Sequence, residues 1–176
     1  ILANPQWLEE SIKTLDAEPQ AHMCSSLVLD WKGEKVDNAG GVILNLGAGI
    51  FGGFFGSMPK EQILAKYREQ PFPVFFGVAN AVVVRAETFA KFGLFDESYF
   101  MYFEDCDWCR RFWQAGWPVY YLHHVALRHA HHRYSAHVGG RPVGFKAIFA
   151  NKLTRIHIKS WLQYFWKWRK DPLRHY

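Results

Sequence analysis

Residues 99–117 read YFMYFEDCDWCRRFWQAGW and contain three acids, Glu104, Asp105 and Asp107, at the start of a helical repeat. Gly116 followed by Trp-Pro is typical of a helix end. Acids in a first helical turn face the positive end of the helix dipole, which favours their ionised form. An ionised carboxylate among Phe and Tyr side chains suits a general base, but the same residues suit an acidic turn that only caps its helix.

The segments on either side alternate between strand and helix patterns, which predicts an α/β fold. Strands are predicted at 23–29, 77–85, 119–122 and 125–129, and helices at 7–15, 59–70 and 86–92. The β-branched run within 77–85 is typical of a strand buried on both faces. Residues 39–58 carry no charge, and their length would fit a membrane span. Their seven glycines favour a Gly-rich loop or hairpin instead.

The composition indicates one ordinary globular domain, because 49% of the 176 residues are hydrophobic. Three cysteines are too few and too irregular for a disulfide framework, which favours a reducing compartment. The charge is unevenly placed. Residues 1–140 hold 12 Lys and Arg against 15 Asp and Glu, whereas residues 141–176 hold 9 against one. A basic tail of this kind predicts a binding partner for that segment.

The tail has the composition of a helix that lies in an anionic membrane interface. A polar stripe recurs at steps of three and four residues, formed by Lys152, Arg155, Lys159, Gln163, Lys167 and Lys170, and the other side carries aromatic and aliphatic residues. The residues predicted to contact the membrane are Lys152, Arg155, Lys159, Trp161, Phe165 and Trp168. A helix packed on the domain with a solvated basic side is the alternative. Nucleic acid is not expected, because no recognition motif accompanies the charge.

Residues 77–132 read GVANAVVVRAETFAKFGLFDESYFMYFEDCDWCRRFWQAGWPVYYLHHVALRHAHH, and this order of signals resembles the C-terminal half of the GT-A domain of family-2 glycosyltransferases. The resemblance is closest to bacterial rhamnosyltransferases of O-antigen and cell-wall assembly. Their basic C-terminal helix is similar to HIKSWLQYFWKWRKD in the tail. The resemblance implies that residues 1–140 form the acceptor-side half of a GT-A Rossmann-like domain, and that residues 141–176 form an amphipathic helix.

The resemblance also implies roles for individual residues. Asp105 matches the base that deprotonates the acceptor hydroxyl, and Glu104 and Asp107 match positions that shape the acceptor pocket or support the base. Gly77 and Asn80 fall in the segment that matches the acceptor-facing start of a strand. Tyr102 is one of several aromatic residues that could stack on a sugar there. Transfer in this family inverts the anomeric centre in one displacement, without an enzyme nucleophile.

His129 matches the histidine that completes the family's divalent-metal site, with His131 and His132 as rivals. The sequence HAHH also invites a structural zinc site, but the single CxxC, Cys106 to Cys109, has no second pair. An imidazole joined by carboxylates and a diphosphate suits Mg²⁺ or Mn²⁺ better.

The family's nucleotide-binding half, with its DxD motif, has no counterpart in these residues. We therefore expect the chain alone to be catalytically incomplete. The expected activity is transfer of a sugar from a nucleotide-sugar donor to a lipid-linked saccharide in polysaccharide assembly, and the resemblance suggests rhamnose as that sugar. The expected place is the cytoplasmic face of the inner membrane. The alternative is a non-catalytic module that kept the fold and docks to a membrane or a partner.

Overall fold

The computed structural model describes residues 3, 5–34, 36–38, 40–45, 50–53, 71–130, 137–138, 141–142 and 151–171. Three predictions fall on other residues: the helix at 59–70 and the rival metal ligands His131 and His132. These lie outside the described part of the chain.

The fold mixes helices and strands, as the alternating pattern predicted. In chain order the elements are α1 (Trp7–Ala17), β1 (Met23–Leu29), β2 (Val36–Asn38), β3 (Gly41–Asn45), β4 (Ile50–Gly53), β5 (Phe72–Val74), β6 (Val82–Val84), α2 (Glu87–Phe92), α3 (Glu104–Gln114), β7 (Val119–Arg128), β8 (His137–Val138), β9 (Arg141–Pro142) and α4 (Lys152–Trp168).

The main sheet is built around β1, and all seven residues of that strand are buried. Strand β7 pairs parallel to β1 along one edge, and β5 pairs antiparallel to β7 beyond it. The other edge of β1 is shared, because β6 pairs with its first residues and β2 with its last. Separately, β3 and β4 pair antiparallel across the Gly-rich segment, in agreement with a hairpin.

Strand β7 replaces the two short strands predicted there. The register runs from Ser26 opposite Leu122 directly to Leu27 opposite Ala126, so residues 123–125 bulge out of the ladder. The bulge contains His123 and His124, which lie between the two predicted strands. His123 is buried and His124 is exposed.

The core lies between this sheet and α3. Trp108 and Phe112 of α3 pack in one cluster with Met23 and Leu27 of β1 and with Tyr121 of β7. Full burial of such a side chain stabilises the fold by about 1.5–3 kcal/mol. The indole of Trp108 also donates a 2.8 Å hydrogen bond to the carbonyl of Gly93, in the loop after α2. These contacts fix α3, and with it the acidic turn, against the sheet.

The prediction of a doubly buried strand over 77–85 was wrong in two respects. Only Val82–Val84 form a strand, and they are half-buried because β6 lies at one end of β1. The preceding residues turn instead, with Ala81 donating its backbone N–H to the carbonyl of Val78 at 3.1 Å. This turn brings residues 78–80 to the start of α3.

None of the described helices is long and apolar enough to cross a bilayer.

Candidate functional site

A pocket of about 820 Å³ opens between the 78–80 turn, the acidic start of α3 and one face of α4. Its lining consists of Asn38, Phe76, Val78, Ala79, Asn80, Met101, Tyr102, Phe103, Glu104, Asp105, Cys106, Thr154, His157, Ile158 and Trp161. Four residues that the sequence assigned to the acceptor site therefore meet in one place: the expected base and three of the expected acceptor contacts.

The start of α3 is set by two aromatic residues in an unusual backbone conformation. Tyr102 and Phe103 both have φ of 69°, in the left-handed region that L-residues with bulky side chains rarely adopt. Phe103 is the residue before the helix, and the backbone N–H of Asp107 donates to its carbonyl at 2.8 Å. Each left-handed residue costs about 1–2 kcal/mol, and strain of this kind concentrates at functional sites.

Asp105 is half-buried at the pocket and has few stabilising partners. Its carboxylate accepts a hydrogen bond from the backbone N–H of Cys106 at 2.8 Å, and another from the backbone N–H of Ala79. Removal from solvent and the neighbouring charge of Glu104 outweigh these bonds and raise the pKa of Asp105 from 3.8 to about 6. A carboxylate with a pKa just below neutral is ionised at pH 7 and still basic enough to accept a proton.

Two oxygens beside Asp105 lack hydrogen-bond partners. Among the described residues, nothing donates to Oε2 of Glu104 or to Oδ1 of Asn80, although both atoms are buried. An unsatisfied buried acceptor costs about 1–3 kcal/mol, and native structures keep few of them. Both residues line the pocket. A ligand that donates from hydroxyl groups would relieve this cost.

Asp107 lies in a different environment, although it is only two residues from Asp105. Its side chain is fully buried, and Nζ of Lys167 lies 2.8 Å from Oδ1 and 2.9 Å from Oδ2. The indole Nε1 of Trp168 donates to Oδ1 at 2.8 Å, and Nε of Arg111 lies 3.5 Å from Oδ2. The predicted acceptor contact by Asp107 does not agree with this position, because the carboxylate faces α4 and the residue is not part of the pocket lining.

Gly77 is also displaced from the pocket. It is buried against β1, and a Cβ atom at this position would lie 2.4 Å from Cβ of Ser25. Glycine is therefore required here for close packing of the turn on the sheet. The prediction that Gly77 contacts an acceptor does not fit this position, whereas Asn80 and Tyr102 do line the pocket.

The tail helix α4 packs on the domain, as in the alternative to a membrane helix. Ser160 donates to the carbonyl of Met101 at 2.7 Å, and the buried guanidinium of Arg110 donates to the hydroxyl of Tyr164 at 3.1 Å. The same helix supplies four residues of the pocket wall: Thr154, His157, Ile158 and Trp161. The sequence reasoning missed His157. Its spacing with Trp161, one helical turn apart, is the signal that could have suggested a shared face.

The six residues predicted to contact a membrane separate into three groups. Lys152, Arg155 and Lys159 are exposed and Phe165 is half-buried. Trp161 lines the pocket and Trp168 bonds to Asp107, so these two do not belong to a free outer face. The large apolar residues that α4 does expose are Leu162 and Trp166, at 43% and 57%.

His129 lies directly after β7, where its backbone N–H donates to the carbonyl of Leu29 at 3.0 Å. Its Nδ1 lies 3.6 Å from Oδ2 of Asp37, a residue that the sequence did not suggest. Across the described ranges, no three His, Cys, Asp or Glu side chains are grouped so that they could hold a metal ion. One imidazole and one carboxylate do not by themselves fit the six oxygen-rich positions that Mg²⁺ prefers.

The CxxC cysteines do not support a zinc site. Both Cys106 and Cys109 are buried free thiols, and burial raises the pKa of each well above its usual value. Zinc binds the thiolate, which these surroundings disfavour.

No protein-family model matches the chain. The chain is similar to the N-acetylglucosaminyl-diphospho-decaprenol L-rhamnosyltransferase of two Mycobacterium tuberculosis strains, with 29% identity over 185 residues. The match covers 99% of this chain and 58% of each relative, so the chain spans a little over half the length of the proteins it matches. This similarity agrees with the resemblance at the level of a rhamnosyltransferase-like glycosyltransferase.

Proposed function

We propose that this chain is the acceptor-binding and base-carrying part of an inverting glycosyltransferase. Its substrates would be a nucleotide-sugar, for which the relatives' name suggests rhamnose, and a lipid-linked saccharide in cell-surface polysaccharide assembly. The observation that carries the proposal is the pocket in which Asp105, with its pKa raised to about 6, lies beside the unpartnered oxygens of Glu104 and Asn80. The relatives act on a lipid-linked N-acetylglucosamine, which supports this class of acceptor.

In the proposed reaction, an acceptor hydroxyl donates a hydrogen bond to Asp105. The oxygen of that hydroxyl attacks the anomeric carbon of the donor sugar. The new glycosidic bond forms as the bond to the leaving diphosphate breaks, and the hydroxyl proton passes to Asp105. A single displacement inverts the anomeric centre. Glu104 and Asn80 would accept hydrogen bonds from other acceptor hydroxyls and orient the attacking one.

The donor would be held by a nucleotide-binding half with a DxD motif, which these residues do not include. We propose His129 as one ligand of a Mg²⁺ or Mn²⁺ ion completed by that half. Such an ion would neutralise charge on the leaving diphosphate. Asp37 would orient the imidazole of His129, as carboxylates do for metal-binding histidines. No step assigned above to Asp105, Glu104 or Asn80 requires this ion.

We further propose that the outer face of α4 contacts an anionic membrane surface, which would place the chain at the cytoplasmic face of the inner membrane. The exposed residues of that face are Lys152, Arg155, Lys159, Leu162, Trp166 and Arg169. Each basic residue near an anionic surface contributes about 1 kcal/mol. At roughly 100° per residue, this face lies about 120° around the helix from the pocket-lining residues, so a lipid-linked acceptor could reach the pocket from the bilayer.

The decisive test is Asp105→Asn in the longest natural polypeptide that contains this chain. Transfer should fall by ~10²–10⁴-fold, because loss of a general base has an effect of this size. Binding of the nucleotide-sugar, measured by calorimetry, should be unchanged. The wild-type rate should also decrease as the pH falls through about 6, because Asp105 becomes protonated there.

Asp107→Asn is the matched control, since it makes the same chemical change two residues away. It should retain transfer at temperatures where it remains folded. Full activity of Asp105→Asn together with loss in Asp107→Asn would move the base to Asp107. Absence of transfer in the wild-type enzyme, with membrane binding intact, would favour the non-catalytic docking module.

The membrane proposal predicts co-sedimentation with phosphatidylglycerol vesicles and much less with neutral vesicles. Replacing Lys152, Arg155 and Lys159 with Gln should weaken the binding. Raising the salt concentration from 0.1 to 1 M should weaken it too, because the Debye length falls from ~10 to ~3 Å. Trp166→Ala should weaken binding as well. Equal binding to neutral vesicles, or none to either kind, would show that the outer face is an ordinary solvated surface.

A further inference from the structure

The wall that α4 contributes to the pocket is continuous along one face of the helix. Thr154, His157, Ile158 and Trp161 follow one another at steps of three, one and three residues, which places them in adjacent rows of the helix surface. The helix cannot drift away from the pocket easily, because Tyr164 is buried and Trp168 bonds to Asp107. The wall is therefore built into the folded domain.

His157 is held in place by the strained residues that precede the acid pair. Its ring stacks on Tyr102 with centroids 4.6 Å apart and an angle of 18° between the planes. The ring of Phe103 makes an edge-to-face contact with the same imidazole, with ring centroids 5.6 Å apart. Although His157 is exposed at the pocket, these neighbours partly desolvate its ring and lower its pKa, so the imidazole is mainly neutral at pH 7 and can donate one hydrogen bond and accept another.

The chemistry of this wall complements that of the acid turn. Glu104, Asp105 and Asn80 offer oxygens that accept hydrogen bonds, whereas α4 offers an indole, an imidazole and an aliphatic side chain. A pyranose presents hydroxyl groups around its edge and C–H groups on its faces. Aromatic rings pack against such apolar faces, and the neutral imidazole suits a hydroxyl or an acetamido group.

We propose that Trp161 and His157 of α4 select the acceptor sugar, with Trp161 packing on a face of a pyranose and His157 hydrogen-bonding a hydroxyl or acetamido substituent. The inference rests on the proposed function, since it concerns the acceptor of that same reaction. It assigns the tail helix two roles on two faces: recognition of the sugar on the inner face and contact with the bilayer on the outer face.

Trp161→Ala and Trp166→Ala provide a matched pair of substitutions, because the two tryptophans lie five residues apart on one helix and only Trp161 lines the pocket. The probe is N-acetylglucosaminyl diphosphate bearing a short prenyl chain. Its binding is measured at equilibrium in the full enzyme without membranes or vesicles, so the membrane contact proposed for Trp166 does not contribute. Trp161→Ala should raise its Kd about tenfold, while Trp166→Ala should leave it unchanged. Trp161→Phe keeps a ring and should stay within a few-fold of wild type, which excludes a general loss of folding as the cause.

His157 is tested by His157→Gln and His157→Ala. The Gln variant keeps a donor and an acceptor and should bind the probe nearly as well as wild type, whereas the Ala variant should bind several-fold more weakly. Unchanged Kd in both Trp161→Ala and His157→Ala would overturn the inference, even if Asp105→Asn abolishes transfer. Active Asp105→Asn enzyme would instead overturn the proposed base, and the binding measurements on α4 would still be informative, because they require no turnover.

Discussion

The pocket-facing and α4-facing sides of the first turn of α3 carry the same kind of residue in opposite surroundings. On the pocket side, Asp105 has two backbone N–H donors, a neighbouring acid and a raised pKa. On the other side, Asp107 is enclosed by Lys167, Trp168 and Arg111. The difference shows that the partners supplied by α4, rather than the residue type, decide which carboxylate stabilises the fold and which is available for chemistry.

The two sides also differ in how completely their polar groups are satisfied. The pocket side combines left-handed backbone at Tyr102 and Phe103 with unpartnered oxygens on Glu104 and Asn80. Each of these features costs folding free energy, and such costs persist where function requires them. The α4 side has short hydrogen bonds and compensated charges. We therefore expect substitutions on the two sides to change stability in opposite directions.

The largest expected effect is destabilisation by Asp107→Ala. The substitution leaves the indole N–H of Trp168 without an acceptor. It also removes the buried carboxylate that Lys167 contacts between α3 and α4. Removal of one member of a buried pair costs 3–5 kcal/mol, and we expect about 3 here, because Lys167 keeps Asp96 and Arg111 keeps two backbone carbonyls. Urea unfolding at pH 7 measures the loss.

Asp16→Ala is the control for this measurement, since Asp16 is an acid on α1 whose side chain is 70% exposed. It should change the free energy of unfolding by less than about 0.5 kcal/mol. A loss below 1 kcal/mol for Asp107→Ala would indicate that α4 contributes little to the stability of the domain.

The contrast between these carboxylates explains how far the sequence could be interpreted. Local signals predicted strand β1 with its observed bounds, and they placed α3 correctly, because both depend on hydrophobic pattern and turn residues nearby in the chain. Asp105 and Asp107 share the same local signal. They are distinguished mainly by the contacts that Lys167 and Trp168, 60 and 61 residues beyond Asp107, make with Asp107.

The positions of Gly77 and of the tail aromatics differ from the expected ones for the same reason. Gly77 lies in a β-branched segment that favours a strand, but its close approach to Ser25 is set by the pairing of distant segments. The aromatic residues of α4 looked equivalent along the helix. Packing then directed Trp161 to the pocket and Trp168 to Asp107, and left Trp166 exposed. Amphipathic patterns identify a helix, but they do not show which of its faces meets which neighbour.

The second effect is stabilisation by Asp105→Asn. The folded state raises the pKa of Asp105 from 3.8 to about 6, so ionisation at pH 7 opposes folding. The rise corresponds to at most about 3 kcal/mol, and partial contact with solvent reduces this to ~1–2 kcal/mol. The amide cannot ionise, so the variant should be more stable than wild type at pH 7 by that amount.

The sign of this effect can be checked by lowering the pH. Between about pH 6 and 4 the folded wild type binds a proton at Asp105 that the unfolded chain lacks, so wild-type stability rises as the pH falls. The advantage of Asp105→Asn should therefore shrink through this window and vanish near pH 4. Asp107→Asn should show no such gain at pH 7. A constant difference between Asp105→Asn and wild type from pH 4 to 7 would contradict the raised pKa.

The smallest effect is expected at Asp96, which bonds Lys167 from the outer edge of the same interface at 2.7 Å. Lys167 and Ser98 hold the pKa of Asp96 down at about 2, so its ionised form favours folding. Because the pair is partly exposed and screened, Asp96→Asn should cost only ~0.5–1 kcal/mol at pH 7. The loss should be fully present above about pH 4 and should disappear as the pH falls toward 2, because wild-type Asp96 is then protonated as well. Glu97→Gln, at the exposed neighbouring position, controls for the change in net charge. Suppose instead that Asp96→Asn lowered the free energy of unfolding as much as Asp107→Ala. The exposed and the buried carboxylate bound to Lys167 would then contribute equally, and burial would not explain the role of Asp107.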